Sequence, residues 1–227
     1  MKSNFDVCAD DYIRPVEGGY VNNPKDPGGE TNMGISKRSY PGLVIRTLTW
    51  ANCKAIYKMD FWDKVSGDTL PLGVDLVTFD TAVNSGPSRA LKFLTSANAG
   101  GGTPVDVIHA YSNARLGFLH GLRTWSTFGR GWSRRVADIE AAAVRMAGAS
   151  AGHLVLLSQE ALVKTQNLKH AAIVTPIATL VATSAVPVTP VEHGSLLIAG
   201  LIALVHLIGA QFHQVNLSNA YAKEASK

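Results

Sequence analysis

Val16 to Ser36 reads VEGGYVNNPKDPGGETNMGIS, and no regular element can run through it. Glycine supplies positive φ and lets other groups come close to the backbone, proline fixes φ, and neither suits a helix interior. Yet three carboxylates, Glu17, Asp26 and Glu30, stand in this stretch. They flank or sit on tight turns, which run over protein surfaces. The rest of the chain decides whether these are only turns.

Upstream, NFDVCADDYIRPVEGGY places Phe5, Cys8, Tyr12 and Ile13 on one helical face, with Glu17 at the end and Gly18-Gly19 as the stop. Downstream, LTWANCKAIYKMDFWDKV resumes helical spacing, with Thr49 or Asn52 as caps. Leu72, Leu76, Phe79 and Val83 recur at helical intervals, and Ser85-Gly86-Pro87 ends that helix and begins the next. A further helix carries Val105, Ile108 and Tyr111, then Leu116, Leu119 and Leu122. TWSTFGRGWSRRVADIEAAAVRMA follows, with Arg130 and Arg134 in a dense arginine set. Nothing alternates at period two for long, so the fold class is mainly α.

The chain has 227 residues, 46% hydrophobic and 17% charged, which suits one good core with a smaller second unit and excludes a disordered chain. Its net charge is +4, carried by residues 1–170 with 19 basic against 15 acidic side chains, while residues 171–227 hold 2 of each. A modest basic excess suits an anionic polymer such as nucleic acid or bacterial cell wall, and ordinary solubility explains it equally well. Cys8 and Cys53 make neither a disulfide framework nor a metal-ligand pattern, and read as free thiols. His109 and His120 have no partner motif and read as structural. The first twenty residues hold no apolar run, so no secretory signal is expected there.

From Ala171 the composition changes. AAIVTPIATLVATSAVPVTPV has no charge over 21 residues, and prolines interrupt it at 176, 187 and 190. Ser195 to Phe212 then gives 18 residues with His206 as the one ionisable group. A helix of that length spans about 27 Å, a little short of a hydrocarbon core of about 30 Å. A C-terminal membrane anchor is the expectation, with a buried core helix as the alternative. Because the apolar signal lies beyond position 170, residues 1–170 are expected to form a soluble, active enzyme by themselves.

Glycosidic bonds are commonly cut by two carboxyl groups, one protonated as the acid and one ionised. Glu17 ends an apolar-faced helix, Asp26 lies nine residues on in the Pro24–Gly29 turn, and Thr31 adds a hydroxyl able to hold a water. The alternative is that Asp26 and Thr31 only close turns through side-chain hydrogen bonds. A Glu, an Asp nine later and then a Thr is an order that resembles phage lysozymes of the T-even type, where the interval to the Thr is one residue longer.

EGGYVNNPKDPGGETNMGIS is similar to the signature of glycoside hydrolase family 108, the bacterial and phage N-acetylmuramidases. Those begin with Glu-Gly-Gly-Tyr, an Asn/Asp-Pro, an Asp-Pro-Gly-Gly and a Thr-x-x-Gly-Ile. FWDKVSGDTLPLGVDLVTFDTAVNSGPSRALKFL resembles the second half of that domain, and RLGFLHGLRTWSTFGRGWSRRV the peptidoglycan-binding module that usually follows it. The sequence departs from the pattern at Asn23, where Asp is common, and at Glu30, often a small residue.

The resemblance implies a lysozyme-like helical domain with a turn-rich active-site loop, acting on peptidoglycan glycan strands with no metal or organic cofactor and no nucleic-acid partner. It puts the essential acid on Glu17, and the order that resembles T-even phage lysozymes adds Asp26 and Thr31 as its candidate catalytic companions. Tyr20 and Asn32 are candidate sugar contacts, or a core ring and a turn hydrogen bond; Asp80 borders the cleft or, the preferred reading, bonds a neighbouring loop; and Arg130 and Arg134 bind wall carboxylates or form a solvated face. The expected organisation is a muramidase domain over 1–95, a helical wall-binding-like module over 96–150, a helix and Pro/Thr/Ala-rich linker over 151–192, the anchor over 193–212 and a polar tail over 213–227. The expected function is host lysis by a phage, prophage or gene-transfer particle, at the cell wall or periplasm from the membrane, or from the cytoplasm once released. The alternatives are an inactive membrane-anchored wall-binding protein and a lytic transglycosylase.

Overall fold

The structure is a computed structural model that describes residues 3–23, 29–185 and 190–227, with side chains described outside 170, 172–185 and 190–206. Asp26 lies outside the described residues. The chain divides into two compact units, Met1–Arg115 and Leu116–Lys227.

The first unit opens with helical backbone in three successive stretches: α1 (Phe5–Val7), a π-helical stretch Cys8–Ile13, and α2 (Arg14–Glu17). Proline inside a helix has no N–H to give and its ring clashes with the carbonyl four residues back. The wider π turn immediately upstream of Pro15 accommodates that residue and lets the helix run on to Glu17. Phe5, Cys8 and Ile13 are buried on the face their spacing selects. Gly18, at φ 69°, then takes the chain out of the helix.

Two short strands follow, β1 (Thr31–Asn32) and β2 (Ile35–Ser36), antiparallel with Asn32 opposite Ile35 and Thr31 opposite Ser36. The helical reading did not foresee this hairpin. Its two-residue tip, Met33-Gly34, has φ of 46° and 78°, the pair of positive values that matches strand twist in tight hairpins.

The helix α3 (Trp50–Tyr57) starts on Thr49, whose hydroxyl accepts from the Asn52 N–H while the Asn52 side chain accepts from the Thr49 N–H. Both candidate caps therefore act, as one reciprocal box. The helices α4 (Val74–Ser85) and α5 (Pro87–Asn98) meet at Gly86, φ 88°, with Pro87 opening the second. Leu72 stands before α4 and is exposed, so the apolar face begins later than its spacing indicates.

Every residue of α4 from Val74 to Ala82 is buried, which makes it the centre of the unit. Phe5, Trp62 and Phe79 pack ring against ring with centroids 5.3–5.7 Å apart. Burying aromatics of this size contributes several kcal/mol of apolar transfer, roughly 1.5–3 for each large side chain. The cysteines are free and buried, and burial pushes the Cys8 thiol well above its usual range.

After α6 (Pro104–His120), the second unit comprises α7 (Trp125–Met146), α8 (Ala151–Ala185) and α9 (Pro190–Ala225). The helix α9 packs on both α7 and α8. The linker expected over 151–192 is helical to Ala185, with position 176 inside α8, and Pro190 opens α9. One proline removes one backbone bond, and a long helix keeps those on either side.

Residues 213–227, expected as a polar tail, carry α9 to Ala225 and bury His213, Ser218, Tyr221 and Glu224. The expected anchor gains no support, because among the described residues no helix is long and apolar enough to cross a membrane.

Candidate active site

The helix that ends on Glu17 is fixed from the side by α3. The Trp50 indole donates to Asp10 at 2.6 Å, Lys54 reaches Asp6 at 2.9 Å and Asp10 at 3.1 Å, and the Arg14 guanidinium lies 5.6 Å from the centre of the Trp50 ring. The indole hydrogen bond, with Lys54 behind it, holds the Asp10 carboxyl below its ordinary range. These pairs are largely exposed, so each contributes modestly to stability, on the order of 0–1 kcal/mol. Together they set the direction in which the helix delivers Glu17.

Past Gly18 the chain makes an excursion and returns. Val21 and Thr31 exchange backbone hydrogen bonds of 2.8 Å in both directions, which closes the loop around residues 22–30. On its other edge Thr31 faces Ser36, and the Lys37 N–H donates to the Glu30 carbonyl at 2.7 Å. Thr31 is thus held on both sides by backbone, with its side chain half-buried.

The same hairpin brings its tip to the candidate acid. A Cβ placed on Gly34 would stand 2.6 Å from Glu17 Oε2 and 3.3 Å from its Cδ, and nearer still to the Tyr57 hydroxyl. Tyr57, buried in α3, donates that hydroxyl to the Met33 carbonyl at 2.9 Å. Glu17, the hairpin of Thr31 and Tyr57 therefore share one neighbourhood, reached from three separate segments.

The remaining candidates divide. Tyr20 is 40% exposed with the Arg46 guanidinium 5.9 Å from its ring centre, an aromatic face beside the loop suited to a sugar ring. Asn32 is 5% exposed, and its amide donates to the carbonyls of Ile45 and Leu48 at 3.2 Å each. It holds the 45–48 turn under β1. Asp80 is 0% exposed and pairs with Arg115 Nη1 at 2.5 Å in a buried ion pair inside the unit, in keeping with the structural alternative.

Arg130 and Arg134 are exposed on α7 in the second unit, where Arg130 sits 5.1 Å from the Phe212 ring centre. Gly34, Tyr57 and Arg46 escaped the sequence reading. For Gly34 a signal existed, the glycine of Thr-x-x-Gly-Ile. Nothing in the spacing of Tyr57 distinguishes it from a core ring.

A carboxyl at a helix end, a loop closed on a threonine and an exposed aromatic side chain thus lie together in the first unit. The family described as Glycosyl hydrolase 108 matches residues 11–86, a span that runs from the helix of Glu17 to the end of α4. Among solved structures, one titled Structure of Brucella abortus SagA is 36% identical, covers 66% of this chain and 99% of that chain, and superposes with a TM-score of 0.58. No curated protein matches. The chain belongs to the glycosyl hydrolase 108 family, whose members hydrolyse peptidoglycan.

Proposed function

We propose that this protein is a lysozyme-type N-acetylmuramidase that cleaves the β-1,4 bond between N-acetylmuramic acid and N-acetylglucosamine. Glu17 gives its proton to the leaving glycosidic oxygen. Asp26 and Thr31 orient and activate a water on the opposite face of the sugar, which inverts the anomeric centre. Tyr20 offers its ring to a sugar face, and the exposed Arg130 and Arg134 attract the carboxylates of the wall. The observation that carries the reading is the meeting of the Glu17 carboxyl with the hairpin that holds Thr31. A chain that merely bound wall would not need a carboxyl fitted so closely into a turn.

The setting we propose is host lysis by a phage, a prophage or a gene-transfer particle, with the enzyme acting at the cell wall. That role requires no anchor. Mass spectrometry of digested peptidoglycan tests the reading. Reducing N-acetylmuramic acid ends, formed with uptake of one water, are expected. Anhydro-sugar ends would make the protein a lytic transglycosylase, reducing N-acetylglucosamine ends a glucosaminidase, and no soluble products a binding protein.

A further inference from the structure

The tip of the β1–β2 hairpin combines a strained residue with a crowded one. Met33, with a long side chain, adopts φ 46°, a region that L-residues other than Asn, Asp and Gly rarely occupy. Such backbone persists only where surrounding structure over-determines it, and it gathers at functional sites. Here the determining group is Tyr57. Its ring is fixed among Trp50, Phe61 and Phe79, with centroids 5.9, 5.6 and 6.5 Å away, and its hydroxyl holds the Met33 carbonyl at 2.9 Å. The next residue, Gly34, has no side chain where one would strike both that hydroxyl and the Glu17 carboxyl.

We propose that Gly34 and Tyr57 are positioning residues for Glu17: the space left at Gly34, fixed by the phenol of Tyr57, sets where the Glu17 carboxyl stands. The inference rests on the reading of Glu17 as the acid. A buried aromatic cluster grips a strained turn, and the turn forms a notch into which one carboxyl fits. A displacement of about 1 Å in a reacting group costs on the order of 10²-fold in rate. The notch is narrow on that scale, since even one added carbon would reach the carboxyl oxygen at 2.6 Å.

The full-length protein is compared as wild type, Gly34→Ala, Gly86→Ala, Tyr57→Phe and Glu17→Gln, with kcat, KM and Tm measured on soluble glycan strands. Gly86 is the matched control: its φ of 88° is close to the 78° of Gly34, and nothing stands within 4 Å of an added Cβ. Both alanine variants place a Cβ at positive φ and lower Tm; Gly86→Ala, at ψ 147°, carries backbone strain alone, and Gly34→Ala adds the contacts with Tyr57 and Glu17. Only Gly34→Ala is expected to lose kcat, by about 10²-fold with KM within about twofold. Tyr57→Phe is expected to lose about tenfold in kcat with KM kept, and it decides the matter if Gly34→Ala does not fold. Gly34→Ala and Tyr57→Phe enzymes whose kcat matches that of Gly86→Ala, or whose loss lies in KM alone, overturn the proposal. Glu17→Gln separates the two levels. An active Glu17→Gln enzyme removes the acid and the proposal together, while an inactive one beside a normal Tyr57→Phe removes only the proposal.

Discussion

Among the described residues both units bury apolar and polar side chains, and the large aromatic rings gather in the first. In Met1–Arg115 the centre is aromatic and aliphatic, with Phe5, Tyr57, Trp62 and Phe79 closed around a helix that is buried on all sides. In Leu116–Lys227 the meeting faces of α7, α8 and α9 carry Ser133, Glu140, Ser158, His213, Ser218 and Glu224. There Leu156, Val163, Ile208 and Phe212 are exposed instead. Apolar area removed from water stabilises both units. The described faces of the second add polar pairs, Tyr221 to Glu140 at 3.1 Å, Ser158 to Ser218 at 3.1 Å and Arg145 to Glu224 at 2.5 Å. Such pairs are sensitive to the loss of single partners and to pH.

The largest effect expected comes from a polar contact at the centre of the first unit. Asp80 and Arg115 are a buried ion pair, 0% and 3% exposed at the side chain. Removing one partner leaves the other charge buried, at a cost of about 3–5 kcal/mol. Asp80→Asn should lower the unfolding midpoint of the first unit and leave the second unit's transition in place. Activity at low temperature should persist in the folded fraction. Urea unfolding followed beside activity checks this, and a folded but inactive Asp80→Asn enzyme would return Asp80 to the active site.

In the second unit the matching cut is smaller. Tyr221→Phe removes the hydroxyl that donates to Glu140 and leaves a buried carboxylate short of a donor, which costs about 1–3 kcal/mol. The second transition should move and wall hydrolysis should not. Ending the chain at residue 170 removes α9 entirely, so α7 and the rest of α8 lose the helix they pack on. The structure revises the expectation for that fragment: the first unit should stay folded and active, and α7 should lose its cooperative transition in circular dichroism.

Much of the first unit was legible because its signals are local. Thr49 with Asn52 as a cap, and Gly86-Pro87 as a stop and start, are chemical instructions confined to a few residues. The hairpin escaped because two-residue strands show no alternation and Met33 is an uncommon residue for its tip. Glu17 drew attention through the company it keeps in sequence, whereas Tyr57 comes near it from 40 residues away through a fold that spacing alone does not give. For Asp80 and Asn32 the sequence left two readings open, because a polar residue near a motif looks the same whether it faces a cleft or a buried partner. In the second unit the hydrophobic run drew attention to itself, and the polar residues beyond it hid the fact that the helix continues. A helix whose buried face is polar defeats a reading that equates burial with hydrophobicity.

The smallest effect tests the comparison through pH. His213 is buried on α9, and burial lowers its pKa below the ordinary 6.5, although the Glu140 charge and a bond with the Ser133 backbone pull the other way. A depressed histidine means that the folded protein resists a proton the unfolded chain accepts. Above pH 6.5 neither state is protonated at this site, and the contribution is complete. As pH falls below that value the unfolded state gains protons first, so stability of the second unit declines until the folded pKa is reached. In the first unit Asp75 has the opposite tilt: burial raises its pKa against three hydrogen bonds, from Asn4, Gly73 and Leu76. Its contribution is greatest at low pH and is lost as pH rises through the raised value. Lowering the pH from about 7.5 to 5.5 should therefore lower the second transition more than the first. His213→Leu, which keeps an apolar side chain in the same place, should flatten that difference. Because Asp138 is raised by burial and also lies in the second unit, the quantity to read is the wild-type slope minus the variant slope. Parallel melting curves for the two proteins across that range would show that the second unit tolerates a charge at its centre.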